Sequence, residues 1–254
     1  MLRKLLKYDL RAALRIFIPA WLGIVGLTGL QCLLYSFGTD SPLVILIGLS
    51  TIPYVLGSVA MLILPGIFFA LRFYRGLLGR EGYLMFSLPA QPWKLLTSKL
   101  LTAVIVTSVN FIVVVGCLFG WIASMVGSYE LDVSLQYIFG EVDGSGALLL
   151  IPVVMLLGCV SSNLMIYLAC CLGHLFRSRR GAWSFLMYMA MSTVMSAVSS
   201  IVQRIQIYTN SGIYESAHTL LTNTLGATIP LALGASVLCF FFCERILHNK
   251  LNLE

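Results

Sequence analysis

Charge is what this sequence has least of. Of its 254 residues only 10% are Asp, Glu, Lys or Arg, whereas 59% are hydrophobic. A soluble domain carries about 25% charged residues, because its surface must face water. The mean hydropathy of +0.95 and the scarcity of charge therefore exclude an ordinary soluble globule. The motifs of several enzyme classes are missing as well. There is no HExxH for zinc, no GxSxG elbow, no pair of intramembrane aspartates and no GxxxxGK[ST] phosphate loop. Histidine occurs three times, as His174, His218 and His248, and no two of these share a predicted helix face. No catalytic residue, bound cofactor or metal site is expected on this chain. The seven cysteines, Cys32, Cys117, Cys159, Cys170, Cys171, Cys239 and Cys243, form no CxxC pair and all lie in apolar stretches. They are expected to be free thiols packed as small hydrophobes, not a disulfide framework. The first fifteen residues are too charged for a cleavable signal peptide, and the apolar run after them is too long.

What remains is a series of long apolar runs, continuous and not alternating. In lipid only helices and closed barrels satisfy their own backbone groups, and continuous runs favour helices. A helix rises about 1.5 Å per residue, so about 20 apolar residues cross the hydrocarbon. Six runs qualify: 16–37, 43–71, 100–126, 147–173, 182–203 and 223–243. The expected fold is all-α, a polytopic membrane protein with six transmembrane helices forming a single transmembrane domain, 1–254. Pro53, Pro65 and Pro152 are expected to bend or start their helices.

The basic residues orient the spans. With the N-terminus in the cytoplasm, fifteen of the sixteen Lys and Arg residues fall inside and Arg204 alone falls outside. The positive-inside rule then puts both termini in the cytoplasm. This placement accounts for the formal net charge of +6 without nucleic acid as a partner. Glu130, Asp132, Glu141 and Asp143 cluster in an outer segment that reads as a solvated loop.

Within the spans ionisable residues are essentially absent, which disfavours ion-coupled transport and voltage sensing. Gln31, Asn110 and Asn163 are the more polar interior side chains, suited to hydrogen bonds between helices or to contact with a substrate. Gly23, Gly26 and Gly29, with Gly116 and Gly120, recur at helical spacing and permit close helix packing, within one subunit or between two.

Two segments on the cytoplasmic side carry more pattern than a passive loop. Residues 1–15 place Leu2, Leu5, Leu6, Leu10 and Ala13 on one face of a helix and Arg3, Lys4, Lys7, Arg11 and Arg15 on the other. This is an amphipathic helix suited to the membrane interface and its lipids. Asp9 falls near the apolar face, as a local ion pair or as a contact to a partner subunit. The second segment, 72–99, presents Tyr83, Leu84, Met85, Phe86 and Leu88 almost without interruption between basic flanks, before Pro89 and Pro92 break the chain. An apolar cluster held outside the membrane must be covered, either by the bilayer surface or by a groove on a cytoplasmic partner.

The run GREGYLMFSLP followed by WKLLTSKLL resembles the loop between the second and third spans of bacterial type-2 ABC exporter permeases. The opening MLRKLLKYDLRAALRIFIP is similar to their N-termini, and six spans with both ends inside match their architecture. The resemblance implies a permease subunit without ATPase activity of its own, working with a separate ABC ATPase dimer that binds ATP and Mg. It also implies a second permease copy, or a paralogous permease, and an export path between the two in the plasma membrane. By position, Arg80, Glu81, Gly82, Tyr83, Leu84, Met85, Phe86 and Leu88 would form the coupling helix, with Glu81 near its N-terminal end. The stretch 204–222 corresponds to short re-entrant helices in that family, but here its polarity reads as an ordinary loop. Cargo would be hydrophobic or amphipathic, such as an antimicrobial peptide or a lipid-like molecule. The alternative is a non-transporting immunity or scaffold protein of the membrane.

Overall fold

A computed structural model describes residues 2–37, 44–78, 92–126, 147–176, 180–210 and 217–249. The described residues are helical apart from short turns. In chain order the helices are α1 (Leu2–Ser36), α2 (Val44–Phe73), a π-helical turn (Tyr74–Leu78), α3 (Pro92–Val126), α4 (Ala147–His174), α5 (Arg180–Asn210) and α6 (Ala217–Asn249). Six of them contain a stretch long and apolar enough to cross a membrane. The protein is an all-α, multi-pass membrane protein.

Each helix outlasts the apolar run that announced it. The expected interfacial helix and first span are one continuous 35-residue helix with Pro19 inside it. Once a span has nucleated a helix, each further residue adds a hydrogen bond, and the leucine-rich start of the chain has no breaker. Pro53, Pro65 and Pro152 likewise lie within helices. Pro92 opens α3, where its missing N–H costs nothing. Part of the expected loop at 72–99 is helical, since α2 continues to Phe73 and turns on through Leu78. The reading of 204–222 as an ordinary loop is corrected at both ends: α5 runs on to Asn210 and α6 begins at Ala217. Polarity there does not stop a helix, because neither end holds a proline or glycine to break it.

The helices gather into two compact units. The first comprises α1, α2 as far as Ile67, and α3 from Ile105. Its core is Ile24 of α1, Tyr54 and Met61 of α2, and Val114 and Cys117 of α3, flanked by Trp21, Leu27 and Trp121. Along α1 the buried positions Ala13, Phe17, Ile24, Thr28 and Gln31 recur at steps of three, four or seven, which is one helix face. Tyr54 and Trp121 pack their rings at 5.3 Å, and the Tyr54 hydroxyl donates to the Cys117 carbonyl at 3.0 Å.

The second unit comprises α2 from Phe68, the π turn, α3 as far as Val104, and α4 to α6. Helix α4 is its centre, packing against both α5 and α6. Accordingly Asn163, Leu164, Met165, Tyr167, Leu168, Ala169, Cys170 and Cys171 are buried almost consecutively. A helix covered on several sides has no solvent face to keep polar. Two contacts set its neighbours. Gly173 admits α5 so closely that a β-carbon there would overlap the backbone of Ser184. The thiols of Cys171 and Cys243 lie 3.4 Å apart and join α4 to α6. All seven cysteines are free.

Beside this apolar core, several polar side chains are buried and many large apolar ones face outward. Gln31, Asn110, Asn163, Thr102 and Lys99 are buried, while Leu22, Ile45, Leu49, Ile112, Phe185 and Val237 are largely exposed. Lipid is as apolar as leucine, so nothing drives leucine inward, whereas polar groups gain by finding partners inside. Gly23, Gly26, Gly29 and Gly116 have no neighbour within 4 Å of a β-carbon position, and only Gly120 of this set meets a side chain, that of Thr28 at 3.7 Å.

Candidate functional site

The expected coupling residues, Arg80, Glu81, Gly82, Tyr83, Leu84, Met85, Phe86 and Leu88, lie outside the described residues. So does the acidic outer segment at 130–143. The described residues on either side of the coupling stretch, however, form a defined junction within the second unit. It is built from the end of α2, the π turn, the start of α3 and the end of α4.

The junction begins with the helix ends themselves. π-helical turns are rare, and those inside α-helices occur frequently at functional sites. Here the turn carries Tyr74, Arg75 and Gly76 past the last α-helical residue, Phe73. Phe73 is buried and its ring stacks on Tyr167 of α4, with centroids 4.3 Å apart and planes 12° from parallel. Tyr74 meets His174, the last residue of α4, edge to face at 6.0 Å. The Tyr167 hydroxyl donates to the backbone carbonyl of Lys99 at 3.3 Å. Arg75 points outward and is exposed, and the guanidinium of Arg72 lies 5.9 Å from the Phe68 ring.

Lys99 is the residue that the sequence placed elsewhere. It reads as one of several solvated loop cations, and the spans read as free of ionisable residues. In the structure Lys99 lies inside the membrane-length stretch Leu95–Val126 and is only 8% exposed. Its Nζ lies 3.1 Å from the point where a β-carbon on Gly76 would stand. The signal for this was present: Leu95, Leu96, Ser98, Lys99, Thr102, Ala103 and Val106 lie along one helical stripe, with the lysine in its middle. A basic residue near a helix end more often extends to the interface, and that habit hid the pattern.

The interfacial residues fall as amphipathicity demands. Lys7, Arg11 and Arg15 are exposed, while Ala13 and Phe17 are fully buried. Arg3 and Lys4 lie on the same helix, α1. Asp9 is half-buried.

Of the polar span residues, two join helices within the first unit. Asn110 of α3 donates to the Met61 carbonyl of α2 at 2.8 Å and accepts from the indole N–H of Trp21 of α1 at 3.0 Å. The Gln31 amide donates to the Thr51 hydroxyl at 3.4 Å. Asn163 is buried in α4 and donates to the carbonyl of Cys159 in its own helix at 2.7 Å. Among the described residues, no three His, Cys, Asp or Glu side chains converge to hold a metal ion.

Comparison with known protein families, with characterised proteins and with solved structures yields no match to this chain.

Proposed function

We propose that this chain is the membrane-spanning permease subunit of an ATP-driven ABC exporter. A separate ATPase dimer binds ATP and Mg, grips the stretch 80–88 and moves it. The helices that flank the stretch carry that movement into the bundle. A second permease, identical or paralogous, completes the path, and the cargo is hydrophobic or amphipathic. The chain lies in the plasma membrane with both termini in the cytoplasm, the orientation favoured by fifteen of its sixteen basic residues.

The observation that carries this reading is the run Tyr83, Leu84, Met85, Phe86 and Leu88, apolar yet bracketed by Arg72, Arg75, Arg80 and Lys94. Charges on both sides hold such a run at the membrane surface, where a protein groove can cover it. The fold adds a mechanical argument. The chain leaves α2 by a turn braced on α4, and Gly76 of that turn is in close approach to Lys99 of α3. A pull on the stretch therefore bears on helices that are already packed together. For ATP to drive transport, the partner must bind one conformation of the permease more tightly than the other.

The test starts with the full chain purified from its native membranes in mild detergent. A stoichiometric ATPase chain bearing a phosphate loop should accompany it. Glu81→Arg, and Leu84→Asp combined with Phe86→Asp, should release that chain or uncouple its ATP hydrolysis from export while the permease stays folded. Unchanged export and unchanged association in both variants would sink the proposal.

A further inference from the structure

An ammonium group is expensive to bury, because it leaves its water behind. It stays buried where other negative charge, full or partial, replaces that water. Lys99 has the reach to avoid burial: a lysine near a helix end ordinarily runs its stem along the apolar surface and keeps its head wet. At 8% exposure it does not do so. Its head is turned toward the π turn at the end of α2, with Nζ 3.1 Å and Cε 3.5 Å from the β-carbon position of Gly76.

That destination has a specific electrostatic character. The last carbonyls of a helix have no intrahelical N–H to accept from, and together they form the negative end of the helix dipole. Gly76 lies within the turn that follows α2 and is itself buried. A β-carbon there would stand 3.1 Å from Nζ, a tight contact that a shift of a few tenths of an ångström in the lysine head would relieve.

We propose that Lys99 is a positioning residue. Supplied by α3, its ammonium caps the carbonyl end of α2 and its π turn, and thereby fixes where and in which direction the chain leaves α2 at Leu78. Helix α4 braces both parties. Tyr167 donates to the Lys99 carbonyl with its hydroxyl and stacks on Phe73 with its ring, so one side chain holds the cap and the capped helix together. Where the permease reading holds, the cap is the fixed point against which the stretch beyond Leu78 is pulled. The cap itself is a property of this chain and does not rest on that reading.

The full chain in detergent or nanodiscs tests it by hydrogen–deuterium exchange. Lys99→Met removes the charge but keeps nearly the same shape, so a merely space-filling lysine would lose little. With a cap, exchange of the Tyr74–Leu78 amides rises about tenfold while peptides from α1 keep their wild-type rates. Lys99→Arg, which keeps the charge, restores most of the protection. Gly76→Ala, which crowds the ammonium, raises exchange in the same peptide severalfold in the native background. It adds nothing in the Lys99→Met background, because the two changes act on one contact. Wild-type exchange at Tyr74–Leu78 in Lys99→Met, or additive effects of the two substitutions, overturns the proposal. Should Lys99→Met fail to accumulate, Lys99→Gln, which also removes the charge, decides, and wild-type exchange at Tyr74–Leu78 in that variant overturns the proposal. Absence of an accompanying ATPase would sink the permease reading and leave this result standing.

Discussion

Asn110 accepts a hydrogen bond from the indole N–H of Trp21 at 3.0 Å, joining residues 89 positions apart in the chain. The same amide donates to the Met61 carbonyl at 2.8 Å. One side chain thus ties α1, α2 and α3 together, in an interior where an unmet polar group has no water to fall back on.

Asn110→Leu should therefore destabilise the protein by about 1–2 kcal/mol, the upper range for hydrogen bonds between helices in membranes. Trp21→Phe loses only one of the two bonds and should cost less. Reversible unfolding in bicelles by added SDS measures both. Equal stability of Asn110→Leu and wild type would show that the node contributes nothing.

Two glycine substitutions should move stability in opposite directions. At Gly173 a β-carbon would overlap the backbone of Ser184, so Gly173→Ala must push α5 away from α4, at about 1–3 kcal/mol. At Gly23 a β-carbon meets nothing within 4 Å, so Gly23→Ala should stabilise the helix by roughly 0.5–1 kcal/mol. Thermal aggregation midpoints in detergent give the order, and a Gly173→Ala protein as stable as wild type would contradict the tight crossing.

The sulfur atoms of Cys171 and Cys243, 3.4 Å apart, need only a small shift to reach the roughly 2.05 Å of a disulfide. In a variant retaining these two cysteines alone, copper phenanthroline as oxidant should cross-link α4 to α6. A protease site engineered at 211–216 reveals the link as fragments that separate only after reduction. Retaining Cys159 in place of Cys171 should give no link.

Orientation can be read with reporter fusions. Alkaline phosphatase fused after residue 40 should be active, and after residue 249 inactive. Lys7, Arg11 and Arg15 are all exposed and free of core packing, so changing them together to Glu should leave stability near wild type. The same change should invert a measurable fraction of molecules, because it removes the inside signal nearest the first span. Full retention of orientation would mean that the later clusters suffice.

The fold class was legible because its cause is local. Twenty or so apolar residues in a row, without the alternation of a barrel strand, satisfy their backbone in lipid as a helix, so six helices could be read from the runs alone. The amphipathic start was legible for the same reason: Arg11 and Arg15 against Ala13 and Phe17 is a statement about helical periodicity. Helix ends were less legible. The α5 and α6 termini beside 211–216 continue past the apolar residues because nothing there breaks a helix, and a hydropathy pattern is silent on breakers that are absent.

The neighbours of each helix were decided only by the tertiary structure. Lys99 is one cation among sixteen in the sequence, and its burial beside Gly76 depends on where α2 ends and α4 crosses. Gly173 looks like Gly23 until α5 is laid against it. Asn110 could as well have met a substrate as Trp21 and Met61. Sequence determines whether a segment is a membrane helix because that choice is made between the segment and its solvent. Which polar side chain meets which partner is a choice made between segments, and only their packing makes it.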